Sequence, residues 1–129
     1  MMRVSYFFRN FAARFQNRYY NIKKFVIIMS TIIYPSPIFG PVNSRRLGVS
    51  LGINLMPSDG KVCSFDCLYC ECGFNADFRP HKKRPTREEV RSALELVLAQ
   101  RKANNEPLDD MTFAGNGEPT GHPDFLGII

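Results

Sequence analysis

The sequence has no apolar run near the length of about 18 residues that a membrane span needs; the longest candidate, residues 25–29, falls far short. It has no secretory layout either. Arginines and aromatics are interleaved through the first 28 residues, with neither a clean apolar stretch nor a small-residue cleavage site. Histidine is scarce: His81 and His122 are the only two, and neither sits in a zinc-finger arrangement. The four cysteines lack a distant second pair, so two separated metal-binding pairs are excluded. Cystines that staple small secreted folds usually join distant segments, so the clustering also argues against a disulfide framework. These absences point to a cytoplasmic protein.

Charge is missing in one place and balanced in another. Residues 1–28 hold six of the 17 basic side chains and none of the 12 acidic ones. The remaining residues carry 11 basic groups against 12 acidic ones, so the main body exerts no overall pull on nucleic acid. Phe7, Phe11, Phe15 and Tyr19 recur every four residues, which would give a helix an aromatic stripe beside arginines. Three readings remain for residues 1–28. They form a basic amphipathic helix, they are an organelle transit sequence, or translation starts at Met29 and they are not native. Two parts are therefore expected: a basic aromatic extension over 1–28, and a core over 29–129.

All four cysteines lie between residues 63 and 72. Cys63, Cys67 and Cys70 follow spacings of four and three, which lets one short loop reach three corners of a cubane cluster. Thiolates are soft ligands that suit iron–sulfur clusters and zinc. Cys72 follows Cys70 too closely to reach a fourth corner without strain and is expected to be a non-ligand. One iron would then lack a protein ligand, and an open position marks a catalytic metal site rather than a structural one.

Around this loop the chain reads as alternating elements. Residues 35–46 are Pro/Gly-punctuated and read as a loop, ending in Arg45 and Arg46, which are either substrate contacts or ordinary loop charges. Residues 47–56, LGVSLGINLM, alternate with the strand period. The run at 79–85, with Arg79, Lys82, Lys83 and Arg84, reads as a phosphate or RNA contact or as a solvated loop. Thr86 and Glu89 form a capping box that opens a helix over 87–102, with Val90, Leu94, Val97, Leu98 and Arg101 along one stripe. Residues 111–114 read as a second strand, and the turn GNGEPT follows. His122, between a glycine and a proline, reads as a surface turn residue. Strand, helix, strand in this order implies a βαβ unit with parallel strands. It sets the cysteine loop and the 115–120 loop on one rim.

Cys63-x3-Cys67-x2-Cys70, with Tyr69 before the last cysteine, resembles the signature of the radical S-adenosylmethionine (radical SAM) enzymes, and GNGEPT resembles their glycine–glutamate motif. The flanking GPVNSRRLGVSLGINLMP and FAGNGEPTGHPDF are similar to the Fe–S oxidoreductase branch related to wyosine-type tRNA modification; residues 38–126 carry the resemblance. The resemblance implies an α/β fold, the N-terminal portion of a partial (β/α) TIM-type barrel, ending after about two units where a full barrel takes roughly 250 residues. It implies a [4Fe–4S] cluster on Cys63, Cys67 and Cys70, with SAM on the fourth iron as source of a 5′-deoxyadenosyl radical. Tyr69 would lie near the adenine, Gly115 and Gly117 would admit the ligand to the backbone, and Glu118 would receive the methionine ammonium. Asn116 departs from an all-glycine version of the motif. An electron donor such as a flavodoxin or ferredoxin is implied, with a substrate that is RNA or protein. Such a chain is expected to be a poor enzyme alone. Two other classes fit the residues: a non-catalytic Fe–S or zinc module, and an RNA-binding protein acting through its basic segments.

Overall fold

A computed structural model describes residues 31–77 and 79–129. The aromatic stripe and the alternative starts over 1–28 lie outside the described residues. Residues Ile32–Ile129 form one compact unit.

Its centre is a three-stranded sheet in the order β1 (Ile38–Ser44), β2 (Gly48–Ile53), β3 (Asp110–Phe113). β1 and β2 make an antiparallel hairpin, Ile38 opposite Ile53 and Ser44 opposite Gly48. β2 and β3 are parallel, Ser50 beside Asp110 and Ile53 beside Phe113, and are joined through helix α1 (Arg87–Ala103). A short 3-10 turn (Pro119–Gly121) and a single helical turn, α2 (Phe125–Ile128), follow. Among the described residues no helix is long and apolar enough to cross a membrane.

β1 corrects the reading of 35–46 as a loop. Its register shifts between Phe39 and Val42, where Gly40 and Pro41 stand. Proline has no N–H to donate, so it is tolerated on an edge strand at a bulge. The Gly-Pro pair here interrupts the ladder without ending it.

The strand period divides β2 between two environments. Leu51 and Ile53 are buried, and Ile53 belongs to a core with Leu55, Met56 and Val90 of α1, joined by Phe113 and Phe125. Ser50 and Gly52, on the alternate face, floor a cleft with Thr112 and Ala114. Helix α1 starts where the capping box sets it: Thr86 Oγ1 accepts from the Glu89 N–H, and Glu89 Oε2 accepts from the Thr86 N–H at 2.7 Å. At the other end buried Arg101 donates to the Pro107 carbonyl and pairs with Glu106 at 3.1 Å, tying the helix to the chain that enters β3.

Candidate functional site

Two loops leave the C-terminal ends of β2 and β3 and meet. The Val62 N–H donates to the Asn116 carbonyl at 2.9 Å, and Val62 forms a parallel bridge with Gly117. The cysteine loop and the 115–118 turn, which the strand order sets on one rim, are in direct contact.

The cysteine loop is tied at its base and free at its tip. Asn75 closes it, its amide nitrogen donating to the carbonyls of Cys63 at 2.8 Å and Phe65 at 3.2 Å, while its backbone N–H donates to Asp66 at 2.9 Å. Lys61 lies beneath the loop, 3 % exposed, with its ammonium donating to the Gly73 carbonyl at 2.7 Å and 3.8 Å from Asp66. A buried ammonium is tolerated only when its donors find partners. These two contacts make Lys61 the floor of the loop. Phe65, Leu68 and Tyr69 at the tip are exposed, Tyr69 to 88 %.

The four thiols are free and differ in placement. Cys63, Cys67 and Cys70 are half-buried, whereas Cys72 is buried. The Cys63 sulfur accepts a 3.4 Å bond from the Phe65 N–H. The Tyr69 phenol is pushed up, first by its hydrogen bond to the Cys67 sulfur. The Cys72 thiol donates to the Gly115 carbonyl at 3.3 Å and also lies in hydrogen-bonding contact with Cys70. Burial, followed by the neighbouring Cys70, pushes its pKa up to about 11. A metal binds the thiolate, so Cys72 would have to give up its burial and its bond to Gly115 to ligate one. Among the described residues no three His, Cys, Asp or Glu side chains are gathered into a metal-binding group. By donor chemistry, three partly exposed thiols on one tied loop still suit a soft, three-thiolate ligand set.

The partner loop is set by two buried asparagines. Asn116 is fully buried: its Oδ1 accepts from the Tyr34 N–H at 2.7 Å, and its Nδ2 donates to the carbonyls of Tyr34 at 2.8 Å and Pro57 at 2.7 Å. Asn54, equally buried, donates to the Tyr34 and Pro35 carbonyls and accepts from the N–H groups of Met56 and Asn116. Together they fasten the 34–37 segment, the end of β2 and the 115–118 turn. This gives Asn116 the role that the sequence leaves open.

Gly115 and Gly117 have φ of +133° and +140°, and a Cβ on either would strike protein atoms, the Asn54 side chain and the Val62 carbonyl respectively. Their missing side chains let the two loops approach each other. Glu118 is exposed and caps the 3-10 turn, accepting from the Thr120 hydroxyl at 3.0 Å. His122 is buried rather than a surface turn residue. Its Nδ1 accepts from the Asp124 N–H at 3.1 Å, so Nε2 carries the proton and donates to the Pro85 carbonyl at 2.9 Å. It joins the lead-in of α1 to that of α2. Among the described residues Arg46 contributes only its backbone N–H, to Ser44 Oγ.

A cleft of about 380 Å³ opens beside the cysteines on the sheet face away from α1. Tyr34 and Phe39, their ring centroids 4.5 Å apart, wall it together with Cys70, Glu71 and Cys72. The Tyr34 phenol donates to Glu71 at 3.0 Å. Sequence reasoning found the cysteines and the turn but missed Asn54, Lys61 and Tyr34. Asn54 does interrupt an otherwise apolar run, and a lone amide among Ile53, Leu55 and Met56 is the signal that could have found it.

The chain is 42% identical over 100 residues to a UPF0026 protein of Helicobacter pylori, covering 74% of this chain and 30% of that protein. It is 45% identical over 86 residues to a UPF0026 protein of Methanocaldococcus jannaschii, covering 64% of this chain and 25% of that protein. A stretch of 94 residues is 38% identical to a protein named GTPase Obg of Brachyspira hyodysenteriae, 13% of whose length is covered. The chain thus spans less than a third of the length of these relatives. No protein-family model matches, and no solved structure matches. These findings correct the resemblance drawn from the motifs: the similarity is to proteins named UPF0026, not to members named as radical SAM enzymes, and no model of that superfamily matches.

Proposed function

We propose that the loop holds a [4Fe–4S] cluster through Cys63, Cys67 and Cys70, leaves one iron without a protein ligand, and binds S-adenosylmethionine there. The observation that carries this is the division of the thiols, three half-buried on the loop and Cys72 buried and donating to Gly115. Such a cluster, once reduced by a donor, would supply the electron for reductive cleavage of SAM's sulfonium C–S bond, to methionine and a 5′-deoxyadenosyl radical that would abstract a substrate hydrogen.

The chain's own part is placement. Lys61 and Asn75 fix the base of the loop. Asn54 and Asn116 hold the 115–118 turn against it. Glu118 offers an exposed carboxylate on that turn, an electrostatic match for the ammonium of the methionine moiety. Tyr69 offers an exposed ring for the adenine, while Gly115 and Gly117 serve the turn by admitting Asn54 and the Val62 carbonyl where side chains would stand. The sheet reads as the first part of a partial (β/α) barrel, a reading supported by the parallel β2–α1–β3 unit and by β3 standing at the edge of the described sheet. A cytoplasmic setting, where thiols stay reduced, and a flavodoxin or ferredoxin as electron donor complete the proposal.

The test is spectroscopic. The chain is reconstituted anaerobically with iron and sulfide and reduced, and its electron paramagnetic resonance spectrum is recorded with and without SAM. A four-iron signal whose g-values move on adding SAM is expected. A cluster whose spectrum ignores SAM contradicts the proposal.

A further inference from the structure

A second cavity, of about 520 Å³, lies at the start of α1 and is independent of the cysteine chemistry. Its charged lining is Lys82, Lys83, Arg84, Arg87, Glu88 and Asp124. Arg87 and Asp124 neutralise each other through bonds of 2.9 and 2.8 Å. Among the described residues the Lys82 ammonium donates to the neutral Ser58 hydroxyl at 3.2 Å and its charge helps hold the Asp59 carboxyl low, though Asp59 is engaged mainly by the backbone N–H groups of His81 and Lys82. Lys83 has no hydrogen bond or ion pair among the described residues. Arg84 is half-buried, and its buried Nε has no acceptor among the described residues.

A buried guanidinium N–H without an acceptor is costly, and native structures seldom keep one without a reason. The helix start adds donors. The capping box uses the N–H groups of Thr86 and Glu89, but those of Arg87 and Glu88 find no acceptor within a helix. An anion is the partner that such a set lacks. We propose that this cavity is a phosphate-binding site in which Lys83 and Arg84 grip the phosphate group of a phosphate ester. Val62 lines the cavity and precedes Cys63, so a ligand held here by its phosphate lies next to the cysteine loop. The ligand chemistry is thus an ester with a free phosphate oxyanion, delivered as a small phosphomonoester or as a nucleic-acid backbone.

The experiment titrates the full chain, at low and at raised salt, with inorganic phosphate, adenosine monophosphate and a short RNA, following backbone amide shifts. Shifts concentrated at residues 82–88 are expected, weakening with salt. Substituting Lys83→Gln with Arg84→Gln is expected to weaken binding by about tenfold or more, the effect of losing roughly 1.4 kcal/mol of charge-assisted contact. Lys102→Gln, at the far end of α1, leaves it unchanged. Saturation by the monophosphate identifies a small ester, and saturation by RNA alone identifies a nucleic-acid backbone; either upholds the site. No saturable binding, or shifts elsewhere on the unmodified chain, overturns the proposal, and the second readout stands even where the double variant fails to fold.

Discussion

Replacing Asn116 by alanine tests the junction that holds the two loops together. The side chain makes three hydrogen bonds of 2.7 to 2.8 Å, one accepted from the Tyr34 N–H and two donated to carbonyls. The Tyr34 carbonyl keeps its bond from Asn54, so among the described residues the substitution leaves two backbone groups without partners, the Tyr34 N–H and the Pro57 carbonyl. One bond at a net of about 1 kcal/mol, with two stranded groups costing about 1–3 kcal/mol apiece in place of the other two, gives a loss of roughly 3–7 kcal/mol. That is a large part of the 5–15 kcal/mol or so that a domain commands. Urea unfolding followed by circular dichroism measures it, the midpoint falling while the slope is kept. Asn116→Asp adds a sign. A buried carboxyl facing two carbonyls is favoured protonated, so its folded pKa rises above its unfolded value. Its folded state then gains relative stability as pH falls through that range and loses it as pH rises. A loss under about 1 kcal/mol for Asn116→Ala would refute the accounting.

Gly117→Ala drives a Cβ into the Val62 carbonyl at a φ that disfavours side chains. A loss of at least about 1–3 kcal/mol is expected from backbone strain, read as a lower melting temperature with the Val62–Gly117 bridge broken. Thr86→Ala removes the capping box and should cost about 1 kcal/mol in chemical denaturation. Alkylation of the metal-free native chain by iodoacetamide at neutral pH should label Cys63, Cys67 and Cys70 well before Cys72, which is buried and protonated; peptide mass mapping over time reads the order, and equal rates contradict the burial.

The legible parts of the fold are those governed by local rules. Thr86 and Glu89 announce the helix because a capping box needs only its own residues, and the alternation through Ser50 to Ile53 announces β2. β1 was hidden because Gly40 and Pro41 are loop residues by propensity; pairing with β2 overrides them, and pairing is not local. Three cysteines at cluster spacing stood out, whereas the partner of Cys72, the Gly115 carbonyl, lies 43 positions away in sequence and did not. Lys61 and His122 were not legible. Each is a polar side chain whose burial depends on a distant acceptor or donor, and sequence spacing carries no trace of that. The family assignment failed for a related cause: short motifs report local chemistry, whereas relatedness is carried by the length of the chain.

The most direct measurement is iron and sulfide content, with the visible absorption spectrum, after anaerobic reconstitution of the unmodified chain, Cys72→Ala and Cys63→Ala. Three ligands and one protonated bystander predict a four-iron complement that survives in Cys72→Ala and is lost in Cys63→Ala. A cluster lost with Cys72, or zinc bound in its place and dependent on Cys72, would contradict the account.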